Sequence, residues 1–193
     1  MRAMSFAAIA ALALTACQDT GPTRINYITV ETAYRYNEWA SVASSGEVRT
    51  VVVGDPFSVG REHFDQAVTD AMYGHNWGPL VKFTTKPSDK ANPHYSVVML
   101  FDVPPTYGGV QVCRESGKTP TSQSAPQPDR PIYVAAGFCL EDVPLTYLAG
   151  VVARTGVDDP GFRNYIGQVT ARLFPVFNQE MLPDRDHDIP FPP

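Results

Sequence analysis

The chain has 193 residues, of which 44% are hydrophobic, enough to fill the core of one domain. Its 20 acidic side chains outnumber 15 basic ones, for a net charge of −5, and no basic stretch is present to track a phosphate backbone. That balance argues against nucleic acid as a partner and against attraction of the folded part to anionic lipid.

At the N-terminus, Met1 and Arg2 give a short positive start and Phe6 to Leu14 (FAAIAALAL) an apolar run. The run is far below the ~20 residues needed to span a bilayer, so it reads as a secretory signal. Leu14-Thr15-Ala16-Cys17 closes it with small residues before a cysteine. This resembles the lipobox of Gram-negative, proteobacterial lipoproteins. The resemblance implies cleavage after residue 16, lipid on Cys17, and a membrane as partner through that lipid. Gln18 in place of aspartate implies sorting to the outer membrane, facing the periplasm. Without Arg2 the mature chain would carry a charge near −6.

Residues 17–25 read as a polar tether, 26–180 as a single domain and 181–193 (MLPDRDHDIPFPP) as an extended proline-rich tail. Tyr27, Tyr34, Tyr36 and Trp39 are too aromatic for a linker and are expected to pack on the domain. Val48 to Val53 (VRTVVV), ended by Gly54-Asp55-Pro56, predicts a buried strand. From Gly60 to Met72, Phe64, Ala67, Val68, Ala71 and Met72 fall on one helical stripe, with Ser58 as the expected cap and Gly74 as the stop. Leu80 to Thr85 and Tyr95 to Val103 predict two more strands, the second apolar on both faces and therefore central in a sheet.

Val110 to Cys113 reads as a short strand, and residues 116–131, rich in Ser, Thr, Pro and Gln, as an exposed loop. Ile132 to Leu140 predicts a strand. Leu145 to Ala153 fits strand or helix equally, and Asp159-Pro160 opens a capped amphipathic helix through Phe162, Ile166, Val169 and Leu173. Short turns between the middle strands imply antiparallel pairing. The expectation is an α+β, two-layer fold: a mainly antiparallel sheet of four to six strands with two amphipathic helices on one face.

The three cysteines divide accordingly. With Cys17 assigned to lipid, Cys113 and Cys139 remain as a pair in an oxidising compartment and are expected to form a disulfide across the base of the loop.

Chemistry-bearing motifs are sparse. His75-Asn76-Trp77, between Gly74 and Gly78, sets an imidazole and an indole in a loop after the first predicted helix and is the candidate binding site. The competing reading is that Trp77 covers the core and His75 caps the helix. No G-x-S-x-G elbow, Walker loop, G-x-G-x-x-G, H-E-x-x-H or C-x-x-C occurs, so no catalytic residue, metal ligand or cofactor is assigned. Asp184, Asp186, His187 and Asp188 lack the spacing of a cation loop. His63 and His94 read as surface residues.

The combination of lipobox, tether and small α+β domain resembles uncharacterised envelope lipoproteins, some of which serve as accessory subunits of outer-membrane machines. It implies a protein-binding or assembly module with an envelope protein as partner. The alternative is a periplasmic small-ligand binder or hydrolase whose site forms between the sheet edge and the His75 loop.

Overall fold

The computed structural model describes residues 23–118 and 130–176. Cys17, loop residues 119–129 and the tail 181–193 lie outside the described residues.

Six strands, β1 (Arg24–Val30), β2 (Glu47–Val53), β3 (Lys82–Thr84), β4 (Tyr95–Phe101), β5 (Ile132–Leu140) and β6 (Val143–Val152), form one sheet in the order β1-β6-β5-β4-β2-β3. Helices α1 (Tyr36–Ala43), α2 (Arg61–Met72) and α4 (Pro160–Leu173) bury their apolar sides against one face. The short α3 (Gly109–Arg114) covers part of the other. The class is α+β with a mainly antiparallel sheet, since β1–β6, β6–β5 and β5–β4 are all antiparallel.

The remaining pairings differ from the sequence expectation. β2 runs parallel to both β3 and β4, with α2 as the crossover from β2 to β3. A parallel pair needs a helix-length connection, and the α2 segment supplies it. β3 runs beside only Glu47–Arg49, whereas β4 runs beside Thr50–Val53 on the other side. The upper half of β2 therefore has a strand on one flank only, leaving a notch in the sheet edge.

β4 is central, as its two-sided apolar pattern requires; Val97, Met99 and Phe101 face the three-helix side and Val98 and Leu100 the α3 side. β6 resolves the strand-or-helix ambiguity as a strand, because pairing with both β5 and β1 satisfies its backbone on two sides. The α4 stripe of Phe162, Tyr165, Ile166, Val169 and Leu173 is fully buried, worth about 1.5–3 kcal/mol per large side chain. Asp159 caps that helix by accepting from the backbone N–H of Gly161 (2.8 Å) and Phe162 (3.2 Å), a contribution of about 1 kcal/mol.

Four local readings are corrected. Val110 to Cys113 lies in α3 rather than a strand; the short helix packs across β5 and β6, burying Val112 and holding Cys113 against Cys139 of β5. Ser58 does not cap α2; the Asp55 carboxylate instead accepts from the N–H of Phe57 (3.3 Å) and Gly60 (2.9 Å), and Gly60 takes the N-cap position at φ 92°. Strand β1 begins at Arg24, inside the segment read as tether, and α1 follows it. The Cys113–Cys139 disulfide is present, with Cα atoms 5.6 Å apart, but it joins α3 to β5 rather than two neighbouring strands.

The pairing directions define two poles. β1 begins where β2, β4 and β6 end, a pole tied together by Arg154, whose guanidinium grips both Asp102 oxygens (2.7 and 2.8 Å) and donates to Pro56 O (2.6 Å). The α2 C-terminus, its following loop and the α4 C-terminus sit at the opposite pole, where Thr146 at the start of β6 donates to Leu173 O (2.8 Å).

Candidate functional site

The loop after α2 is built from the helix outward. The helix ends at Tyr73, whose backbone is extended (φ −60°, ψ 130°), and not at the expected Gly74; Gly74, at φ 78°, completes the tight turn that follows, in which His75 N–H returns to Met72 O (3.2 Å). The His75 ring lies against α4 at Gly167, so close that a Cβ there would fall 2.8 Å from the imidazole. Asn76 turns the chain by donating from Nδ2 to Pro79 O (2.8 Å). Trp77 gives its backbone carbonyl to the indole Nε1 of Trp39 (2.9 Å). Gly78, at φ 95°, packs beneath the Tyr36 hydroxyl, where a side chain would collide at 2.6 Å.

Those anchors reach into the most aromatic part of the core. Trp39 is completely buried, stacked on Phe174 with ring centroids 3.6 Å apart and edge-on to Phe138 at 5.5 Å. Tyr34 is also buried and donates to Pro175 O (2.9 Å). The expectation that the early aromatics pack on the domain holds for Tyr34 and Trp39, while Tyr27 on the edge strand is exposed.

The side chains of the loop do the reverse of its backbone. Trp77 keeps 59% of its surface exposed, Tyr73 52% and Leu80 62%. Trp77 therefore does not cover the core; Trp39 fills that place, and Trp77 holds it only through a main-chain oxygen. The result is three large apolar side chains displayed on a loop whose backbone is pinned at four positions. Tyr73 carried no signal in the sequence pattern, and Leu80, expected to open a strand, lies before β3, which is confined to Lys82–Thr84.

Comparison with known protein families, with curated proteins and with solved structures finds no match to this chain.

A groove of about 750 Å³ opens beside the loop, between the polar side of α2 and β3. Tyr73 reaches its wall, but His75, Asn76 and Trp77 do not line it. Its ionisable groups include Glu62, held below the ordinary carboxylate range by a hydrogen bond and charge from Lys86 (2.8 Å). Asp65 is raised by burial, against the opposing pull of Arg61. Among the described residues no three His, Cys, Asp or Glu side chains are arranged to hold a metal ion. His94 pairs with Glu141 (3.0 Å) at the surface near the β5–β6 turn, and His63 sits exposed on α2.

Proposed function

We propose that this protein is a membrane-anchored envelope lipoprotein that works as a protein-binding module, using the Tyr73–Leu80 loop as its contact surface. The observation that carries this reading is the combination of a rigid backbone with outward aromatic and aliphatic side chains. Aromatic anchors held in place before binding lose little conformational freedom on association, which is the character of interface hot spots. Three exposed large apolar residues on one loop serve no purpose in the core they leave.

The polarity of the fold supports the same reading. Only six residues separate Cys17 from Arg24, a span of about 25 Å at full extension. Lipid on Cys17 would hold the Arg24 pole against the membrane, and the loop at the opposite pole would face away from it toward a partner in the periplasm. The described residues end at Val176, three residues past the α4 C-terminus at that second pole.

The test is affinity purification of the full-length protein from gently solubilised envelopes, in parallel with Trp77→Ala and Cys17→Ala. A stoichiometric partner should accompany the parent protein and be lost with Trp77→Ala, while Cys17→Ala should move the protein to the soluble periplasmic fraction. A protein that purifies alone, or a partner retained at full stoichiometry by Trp77→Ala, refutes the loop as the contact surface. Continued membrane association of Cys17→Ala refutes lipid as the sole anchor.

A further inference from the structure

The notch beside β2 holds a recess of about 290 Å³ that is separate from the loop. Four cations line it, Arg49, Arg61, Lys86 and Lys118, against one carboxylate, Asp65. In a chain of net charge −5 this is a local reversal of sign. It arises from topology: β3 ends beside Arg49, so the side chains that would lie over a continuing strand converge on open space instead.

The cations differ in how they are compensated. Lys86 is paired with Glu62 (2.8 Å), Lys118 with Glu115 (2.7 Å) and Arg61 with Asp65 (3.4 Å), and Arg61 also donates to Val52 O (2.7 Å). Arg49 is half-buried, and among the described residues its one hydrogen bond runs from Nη2 to the carbonyl of Ser116 (2.7 Å), with no carboxylate partner. A guanidinium has five N–H donors in a fixed fork, so most of its capacity and all of its charge stay available. A half-buried cation without a counter-charge is costly in isolation.

We propose that this recess binds an oxyanion of the phosphate type, either free or as the monoester of a small molecule, with Arg49 as the central ligand. Lys86 and Lys118 add flexible point charges, and Thr50, Val51 and Val52 of β2 also line the recess. A doubly charged oxyanion accepts from the Arg49 fork and both ammonium groups at once, which a single chloride does not. Arg61 contributes charge while remaining fixed to Val52 O.

The experiment is titration calorimetry on the full chain in mild detergent at low ionic strength, with inorganic phosphate, glycerol phosphate and, at matched ionic strength, chloride. Saturable binding of phosphate or its monoester is expected, and the tighter of the two identifies the free or esterified form. Arg49→Gln should weaken binding about tenfold or more, since a charge-assisted hydrogen bond is lost. Lys86→Gln and Lys118→Gln alter exposed side chains and keep the test valid should Arg49→Gln fail to fold; each should weaken binding several-fold, and Lys90→Gln, outside the recess, should leave it unchanged. Binding no different from chloride, or binding of equal strength in the Lys86 and Lys118 variants, overturns the assignment.

Discussion

The two tryptophans separate stability from display, and substituting each by alanine tests the whole account of the loop. Trp39 is fully buried among Phe83, Phe138 and Phe174. Truncating such a residue leaves a cavity its neighbours cannot fill, at about 3–5 kcal/mol. The indole bond to Trp77 O, lost at the same time, adds about 1 kcal/mol. Trp39→Ala should therefore remove roughly 4–6 kcal/mol from a domain whose total stability is of order 5–15 kcal/mol. Trp77→Ala keeps the main-chain carbonyl that Trp39 needs and removes a side chain already 59% exposed, so its cost should be about 1 kcal/mol or less. Urea unfolding followed by far-ultraviolet circular dichroism reads both. With a slope of about 1–3 kcal/mol per molar urea, the Trp39 variant should lose at least about 1.3 M from its midpoint, and the Trp77 variant no more than about a quarter of whatever the Trp39 variant loses. Equal losses would mean that Trp77 is a lid on the core, and the display of the loop would fall with that result.

Three further outcomes follow from the packing. Replacing Cys113 and Cys139 by serine should cost about 3 kcal/mol, since the bridge closes a loop of roughly 25 residues in the unfolded chain, and both sulfurs, being completely buried, should resist reductants until the protein unfolds; rapid reduction of the native protein would count against that burial. Gly150→Ala should destabilise by more than about 2 kcal/mol, because a Cβ would overlap Arg24 O and fall 2.5 Å from the Tyr165 hydroxyl, and exchange of the β1 amides should rise most; undisturbed β1 protection would contradict the close approach. Burial, with the Glu38 carboxylate adding to it at Tyr95, pushes Tyr95 and Tyr147 up to about 12, and Tyr34 and Tyr165 higher still. Because the folded form holds these protons more tightly than the unfolded form, whose tyrosines titrate near 10, their contribution is complete below pH 10 and is lost as pH rises toward 12. Ultraviolet absorbance of tyrosinate should show these four of the nine tyrosines ionising late and together with unfolding; smooth titration of all nine near pH 10 would exclude the burial.

Where one side chain decides one contact, the sequence was legible. The β-branched run of β2, the two-sided apolar β4, the stripe of α2 and the Asp159-Pro160 start of α4 each carry a local pattern strong enough to survive folding. Strand β1 was hidden because an exposed edge strand needs no alternation: Tyr27 and Ile28 are adjacent and both exposed. Helix α3 was hidden because its valines favour a strand by propensity, while the disulfide and the burial of Val112 fix a helix by tertiary contact. The parallel placement of β2 between β3 and β4 depends on where α2 lands, and no residue of the strands themselves encodes it. The basic notch is of the same kind. Arg49, Arg61, Lys86 and Lys118 are scattered over 70 residues and meet only because β3 is three residues long.

That dependence on topology explains why the two proposed sites are so unlike each other. The loop was conspicuous as His75-Asn76-Trp77 because a tryptophan between glycines stands out in any sequence, yet the structure gives its residues different parts: His75 packs on Gly167, Asn76 holds the turn, and Tyr73 and Leu80 are exposed apolar residues at its two ends. The notch carries charge in place of apolar area and lies along the flank of the sheet, between the two poles. An oxyanion bound there would bridge β2, α2 and the chain at Lys118, three segments that otherwise meet through few polar contacts, and would stiffen the side of the domain from which α2 carries the Trp77 loop. Both proposed sites draw on α2, the notch through Arg61 and Asp65 on its side and the loop through the end of the helix at Tyr73.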